Sequence, residues 1–518
     1  MSTKKILAVL LALFVLATAV SGCGNSGSSS ADSQSGSSAT SENGATSENS
    51  ASTEDTASTD GEVPTISLMV VCGTTPPDAD AVAEKLSEIT REKIGCNVEF
   101  ITMEIGNVAQ QLNLLLSGGD DTLDVFVAGI SVPYSTIVNN GQALSLDSLM
   151  EPYAEEMKTA LGENVYGAGR VNGELYGIGH LLDQASTACY NLRGDIAEEF
   201  GYKNGDKIDL AELTELFGKI REKYPDTPLI GPMNGVPNIG DSRVDSLGNK
   251  LGVLDNYGQD TTVTNYYESA GYEELVGYFK QWKEMGCYMA DILNVTDAPI
   301  DYIPSGKAFG CFASHFSAEM NGIWSSQNFG TDIASLQIYE NAVAVTPWAY
   351  ECINPATKNP EAAAGLIYLM ATDPDVENLL INGIEGQHYQ VLEDNTATYV
   401  DGKDISTTGW CLGYSWTAEN STISIPFEYP ADYYDRLLEA NKNANQSKAF
   451  GCQFDLTGVS DAVSACTNVV NQYENALAGG AVEDFDATLA QFQQALRDAG
   501  IDEIIAAKQE QLDAFLAG

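Results

Sequence analysis

Residues 65–71 read Thr-Ile-Ser-Leu-Met-Val-Val, a nearly continuous apolar run, and the loop Gly73-Thr74-Thr75-Pro76-Pro77-Asp78 follows. A short apolar run closed by turn residues predicts a strand buried on both faces. Val82, Leu86 and Ile89 then recur at helical spacing with charges between them, and Asp78 or Asp80 stands where that helix needs an N-cap. Cys96 to Ile105 predicts a second strand. A helix through Leu112 and Leu116 stops at Gly118-Gly119, and Asp124 to Ala128 predicts a third strand. Strand, helix, strand, helix, strand is the order of a parallel sheet covered by helices. Ligands of such sheets sit at the loops beyond the strand C-termini, here Gly73 to Asp78 and Gly129 to Tyr134.

Beyond this unit the texture is mixed. Gly173 to Gly179 reads as a turn into a strand, and Ser186 to Asn191 as another strand. Residues 209 to 223 predict an amphipathic helix capped by Asp209, and residues 266 to 286 an aromatic-rich helix. Ala308 to Phe312 and Ala342 to Pro347 read as buried strands, and Pro360 opens a helix over 360 to 371. The C-terminal stretch is helical, with Val463, Val470 and Leu477 on one face, then Leu489, Phe492 and Leu496. No internal repeat is present.

The N-terminus is built differently. Lys4 and Lys5 precede an apolar run from Ile6 to Val20, then Ser21-Gly22-Cys23. A basic flank, a short apolar segment and small residues before a cleavage point make an export signal, and the run is short of the ~20 residues of a membrane span. Gly24 to Glu62 holds only Gly, Ser, Thr, Ala, Asn, Gln, Asp and Glu. Such a stretch has nothing to bury against its ordering entropy, so it predicts a flexible tether with a reach on the order of 35 Å.

The whole chain has 518 residues, 44% of them hydrophobic. Its 25 Lys plus Arg face 73 Asp plus Glu, a formal net charge of −48. That imbalance excludes a basic face for nucleic acid and charge-driven adhesion to anionic lipid. Of the ten cysteines, nine remain beyond Cys23: Cys72, Cys96, Cys189, Cys287, Cys311, Cys352, Cys411, Cys452 and Cys466. None forms a C-x-x-C pair, an odd set cannot all pair, and several lie in apolar runs, so they read as free buried thiols. No nucleophile elbow, zincin or P-loop pattern occurs. The three histidines, His180, His315 and His388, lack metal-ligand spacing, and no EF-hand spacing supports calcium. A carboxylate pair for glycoside hydrolysis is not excluded by counting, but nothing in the pattern points to an enzyme. No cofactor or metal is implied.

Val20-Ser21-Gly22-Cys23 resembles the bacterial lipobox, in which cleavage precedes a cysteine that carries the lipid. Asn172-Gly173-Glu174-Leu175-Tyr176-Gly177-Ile178, Cys189-Tyr190-Asn191-Leu192-Arg193, Ser305-Gly306-Lys307-Ala308-Phe309-Gly310 and Lys358-Asn359-Pro360-Glu361-Ala362-Ala363 resemble segments of the carbohydrate-type extracellular solute-binding proteins of ABC importers. Asn382-Gly383-Ile384-Glu385-Gly386-Gln387-His388-Tyr389 resembles a motif of the larger Gram-positive lipoproteins of that family. Residues from about 449 resemble a C-terminal extension of unknown function found on some of them. Ile178-Gly179 departs from the family's usual proline after the tyrosine.

The resemblance implies an α/β, two-lobed periplasmic-binding-protein-like fold of class II type, with a hinge cleft and a mostly helical C-terminal extension. Its divisions are 1–22 a lipoprotein signal peptide, 23–62 a lipidated Cys23 and disordered tether, 63–448 the two-lobed solute-binding domain, and 449–518 the extension. The implied function is capture of a sugar or oligosaccharide by hinge closure and its delivery to permease subunits. The chain would be a monomer, lipid-anchored (palmitate among the acyl chains) at the extracellular face of the cell membrane. Two alternatives stay open: the same fold taking a peptide or other solute, and a tethered surface sensor or adhesin.

A sugar site needs flat apolar faces for ring C–H groups and planar polar groups for hydroxyls. Trp348, Tyr350, Trp410, Trp416 and Tyr134 offer the first; Asp78, Asp183, Gln184, Glu385 and His388 offer the second. Each has a bland alternative. A lone Trp is more often core or rim, Glu385 and His388 can serve a structural turn, and His315 fits a satisfied buried histidine.

Overall fold

The computed structural model describes residues 63–117, 122–233, 239–339, 342–410 and 419–517. The signal segment, the tether with Cys23, Cys411 and Trp416 lie outside the described residues. Strand β1 (Thr65–Cys72) is buried at every position after the first, as an apolar run covered on both faces requires. Helix α1 (Ala79–Lys93) buries Val82 and Leu86 and returns the chain to β2 (Asn97–Glu104), parallel to β1 from Thr65↔Asn97 to Cys72↔Glu104. Helix α2 (Val108–Ser117) buries Val108, Leu112 and Leu116, and β3 (Val125–Ala128) pairs parallel with the other edge of β1. The expected strand–helix alternation is therefore present.

After β4 (Ile178–Gly179) residues 180–184 carry the chain to a second sheet. Its central strand is β5 (Ala185–Arg193). Helices α3 (Leu210–Lys223) and α4 (Ala270–Glu284) cover it; Asp209 caps α3 through Glu212 N–H at 2.8 Å, as expected. The helix expected from 266 begins instead with a separate 3₁₀ turn at Tyr266–Glu268, broken from α4 by the Ser269 cap. Strand β6 (Gly310–His315) runs antiparallel along one edge of β5. After α5 (Ala318–Phe329), β7 (Ile333–Gln337) and β8 (Val343–Ala344) share the other edge, also antiparallel. The strand expected to reach Pro347 is thus only β8; beyond it the chain recrosses.

Residues 345–349 lead back into β9 (Tyr350–Ile353), which fits between β3 and β4 and is antiparallel to both. The first sheet has the order β2-β1-β3-β9-β4, so it is mixed rather than purely parallel. Helices α6 (Pro360–Thr372) and α7 (Pro374–Asn382) close this lobe, each with proline at its start, where a missing N–H costs nothing. Residues 419–432 make a third crossing to α8 (Tyr433–Asn443) and β10 (Asn445–Gln446), which pairs parallel with β8.

The C-terminal helices α9 (Ser460–Ala478), α10 (Phe485–Asp498) and α11 (Ile501–Leu516) are a wall of the second lobe. Their buried Cys466, Leu477, Phe492, Leu496, Ile501 and Ile504 belong to the same core as Tyr190, Phe217, Trp282 and Phe312. Phe492 meets Tyr267 at 4.7 Å and Tyr473 at 5.4 Å. Lys508 of α11 is fully buried and its ammonium donates to Leu247 O, Asn249 Oδ1 and Gly252 O, tying the last helix to that loop. The eight described cysteines beyond Cys23 are free and buried, in line with the apolar runs that hold them. Among the described residues no helix is long and apolar enough to cross a membrane.

Candidate functional site

The loops beyond β1 and β3 and the chain entering β9 meet at one edge of the first sheet. Their closeness depends on Gly129, whose φ is +99° and whose added Cβ would stand 2.0 Å from the Trp348 carbonyl oxygen. Only glycine permits the return crossing to press there. The Trp348 side chain is left 39% exposed. With Pro347, Thr346 and Val345 it lines a small cavity whose other wall is His180, Leu182, Asp183 and Gln184. The outgoing and returning crossings thus flank one recess.

Asp183 is half-buried in that wall, and its charge reaches Tyr429 and Tyr433, adding to burial in pushing their phenols up. Tyr429 stacks on Tyr433 at 4.0 Å, and Phe316 meets Tyr433 edge-on at 5.5 Å. Gln184 is buried; its Nε2 donates to His180 O at 3.3 Å and its Oε1 accepts from Asn441 at 2.8 Å. Both hydrogen-bonding ends of Gln184 are engaged within the hinge.

Asp78 precedes α1, but its side chain does not cap it. Its Oδ2 instead accepts from Gln387 Nε2 and faces His388 Nε2, each at 3.1 Å. His388 Nδ1 accepts the Ile384 N–H at 2.9 Å, which leaves the ring proton on Nε2, aimed at Asp78. Hydrogen bonds from His388 and Gln387 hold the Asp78 carboxyl below its ordinary range, and burial lowers the His388 imidazole. Asp78 is therefore an oriented anion with Oδ1 left over, on a partly exposed side chain. Gly409 makes room for it: at φ +86° an added Cβ would stand 2.3 Å from Asp78 Oδ2. Gly409→Ala is expected to destabilise the fold by roughly 1–3 kcal/mol in urea unfolding. A stability equal to the parent's would mean that the clamp is dispensable.

The structure corrects several sequence expectations. Tyr134 is buried, donates its hydroxyl to Gly169 O at 2.5 Å and stacks on Tyr350 at 4.1 Å. Tyr350 is buried too, and its hydroxyl accepts from Gln453 at 2.6 Å. Trp410 is 1% exposed, stacks on Phe100 at 5.5 Å and donates Nε1–H to Leu380 O at 3.1 Å. These rings are satisfied core residues rather than walls of a cleft. His388 is wholly buried and acts on Asp78, not on solvent. Glu385 is exposed and bridges by its backbone to Tyr389. Trp416 lies outside the described residues. His315 is half-buried and its Nδ1 accepts from Ser317 N–H at 3.3 Å.

Sequence reasoning missed Gln387, one residue from a named candidate, and Tyr429, which its partial exposure beside Asp183 brings forward. The Tyr429-Pro430 turn and Tyr433-Tyr434 ahead of α8 were the available signal. Among the described residues no three of His, Cys, Asp and Glu are placed to hold a metal ion.

Residues 448–517 match the family described as a domain of unknown function, DUF3502. The chain is 23% identical over 472 residues to a carbohydrate ABC transporter substrate-binding protein of Streptococcus pneumoniae serotype 4, covering 88% of this chain and 92% of that one. The crystal structure of the N-glycan transport solute binding protein NgtS from Streptococcus pneumoniae superposes with a TM-score of 0.74 at 21% identity, over 88% of this chain and 99% of that one. The same protein in complex with Man1GlcNAc gives 0.66 at 21% identity, over 88% of this chain and 100% of that one. The chain thus has the two-lobed fold of solute-binding proteins, as the strand order and the crossings require.

Proposed function

We propose that this chain is the substrate-binding component of an ABC importer and captures a sugar or oligosaccharide between its two lobes. The observation that carries the reading is Trp348: a partly exposed indole held at the hinge by Gly129, in one recess with Asp183, whose charge reaches a half-buried Tyr429. An indole face covers the C–H surface of a sugar ring, and a carboxylate takes paired hydroxyls. Asp78, oriented by His388 and Gln387, supplies a second acceptor from the first lobe. The pneumococcal relatives named for carbohydrate and N-glycan transport support the same class. No covalent step is needed: hinge closure about the crossings encloses the solute and presents both lobes to permease subunits. The lipobox-like Val20 to Cys23 and the composition of the tether support a protein anchored at the extracellular face of the cell membrane through lipid on Cys23.

Thermal unfolding against a panel of oligosaccharides, amino acids and short peptides tests this. A solute at a hundredfold its Kd stabilises by about 2.7 kcal/mol. Trp348→Ala is expected to weaken sugar binding by ~1–3 kcal/mol in titration calorimetry with folding unchanged. Unchanged affinity would remove the stacking role. A peptide as the stabilising solute would overturn the sugar class while leaving the importer reading.

A further inference from the structure

Three carboxylates lie inside the first lobe, and among the described residues no Lys or Arg pairs with them. Glu351 is on β9, Glu377 on α7 and Glu419 on the third crossing, and all are 0% exposed. Glu351 Oε2 lies 3.1 Å from His180 Nε2, and Glu377 Oε1 accepts the Asn420 N–H at 2.8 Å. Among the described residues Glu351 Oε1, Glu377 Oε2, both carboxylate oxygens of Glu419 and His180 Nδ1 have no hydrogen-bond partner. The Glu419 carbonyl accepts Leu181 N–H at 2.7 Å, so the group sits where the first and third crossings are joined.

The remaining neighbours among the described residues bring no Lys or Arg. Tyr434 of α8 shares a hydrogen bond with Ser424 at 3.1 Å, and its phenol feels the Glu377 charge. The Cys352 thiol feels Glu351. Asn382 of α7 spends its amide on Asn378 and the Ile425 carbonyl. Three ionised carboxylates in such a place would carry a desolvation penalty of several kcal/mol each. A proton on each removes the buried charge and turns a bare acceptor into a donor.

We propose that Glu351, Glu377 and Glu419, beside His180, form a buried proton-binding site at the root of the hinge, whose bound protons hold the first and third crossings together. Burial raises all three carboxyls above the ordinary glutamate range. For Glu419 the charges of Glu351 and Glu377 add to the rise; His180 opposes it at Glu351 and the Asn420 N–H at Glu377. The sign follows. The folded chain keeps protons that the unfolded chain has already lost, so unfolding at neutral pH releases them. Stability is fully present below the ordinary glutamate pKa and falls as pH rises toward the folded values.

The test is Glu419→Gln in the full chain, and it needs no solute. Thermal unfolding is followed from about pH 5 to about pH 9, with proton release measured by calorimetry in buffers of different ionisation heat. The parent should lose Tm toward alkaline pH. The variant should lose less, have the higher Tm at the alkaline end, and release about one proton fewer near neutrality. Equal proton release, or a lower Tm for the variant throughout, would overturn the site. If Glu419→Gln fails to fold, infrared spectroscopy of the parent decides. A protonated-carboxyl carbonyl band at neutral pH that weakens in Glu377→Gln supports the proposal, and its absence from the parent ends it.

Discussion

A chain ending at Lys448 should fail to form its second lobe. Helices α9 to α11 bury Leu477, Phe485, Phe492, Leu496, Ile501 and Ile504 in that lobe's main core. Removing them uncovers Tyr267, Tyr272 and Phe279 on the part that remains. At about 1.5–3 kcal/mol for each large apolar side chain, the lost burial is on the order of 10 kcal/mol, comparable with the whole stability of a typical domain. The buried Lys508 would also go, leaving the carbonyls of Leu247 and Gly252 without their donor. The expected result is a product that binds hydrophobic dye, loses near-ultraviolet circular dichroism and shows no second-lobe unfolding transition. A truncated chain with the parent's Tm would show that the helices are an appendage.

Trp410→Ala should cost about 3–5 kcal/mol, the range for deleting a buried large aromatic ring. The ring is fully packed in the first lobe, and its loss also leaves the Leu380 carbonyl without a donor. Trp348→Ala in the same urea titration should change stability by no more than about 0.5 kcal/mol, because the residue is 39% exposed on the wall of a recess and belongs to no core. The two substitutions therefore separate a core indole from a surface one. Equal losses would contradict the assigned environments.

These two tryptophans also mark what a sequence can and cannot carry. Each stands in a Gly- or Pro-rich context that reads as loop, and nothing in residue type says which ring turns inward. The strand β1 was legible because a strand covered on both faces leaves a run of apolar residues, and helix α3 because its periodicity and Asp209 agree. Strand β9 was not legible. It has four residues, and one of them is Glu351, a buried charge-bearing side chain that breaks the apolar run. Asp78 looked like an N-cap because local pattern is all a sequence displays. Its true partners, Gln387 and His388, lie more than 300 residues away. The amphipathic faces of α9 and α10 announced burial, but what covers them, Tyr267 among others, is a matter of tertiary contact.

The chain's repeated crossings bear on the order in which it can fold during synthesis. The first sheet is completed only when residues 350–353 arrive to join β3 to β4. The second core is completed only by residues up to Ile504, near the end of the chain. The first lobe waits for most of the chain and the second for nearly all of it, and contacts this distant in sequence form slowly. A nascent chain of this design keeps its second lobe open until its last helices are made. That would suit the export proposed above for this chain.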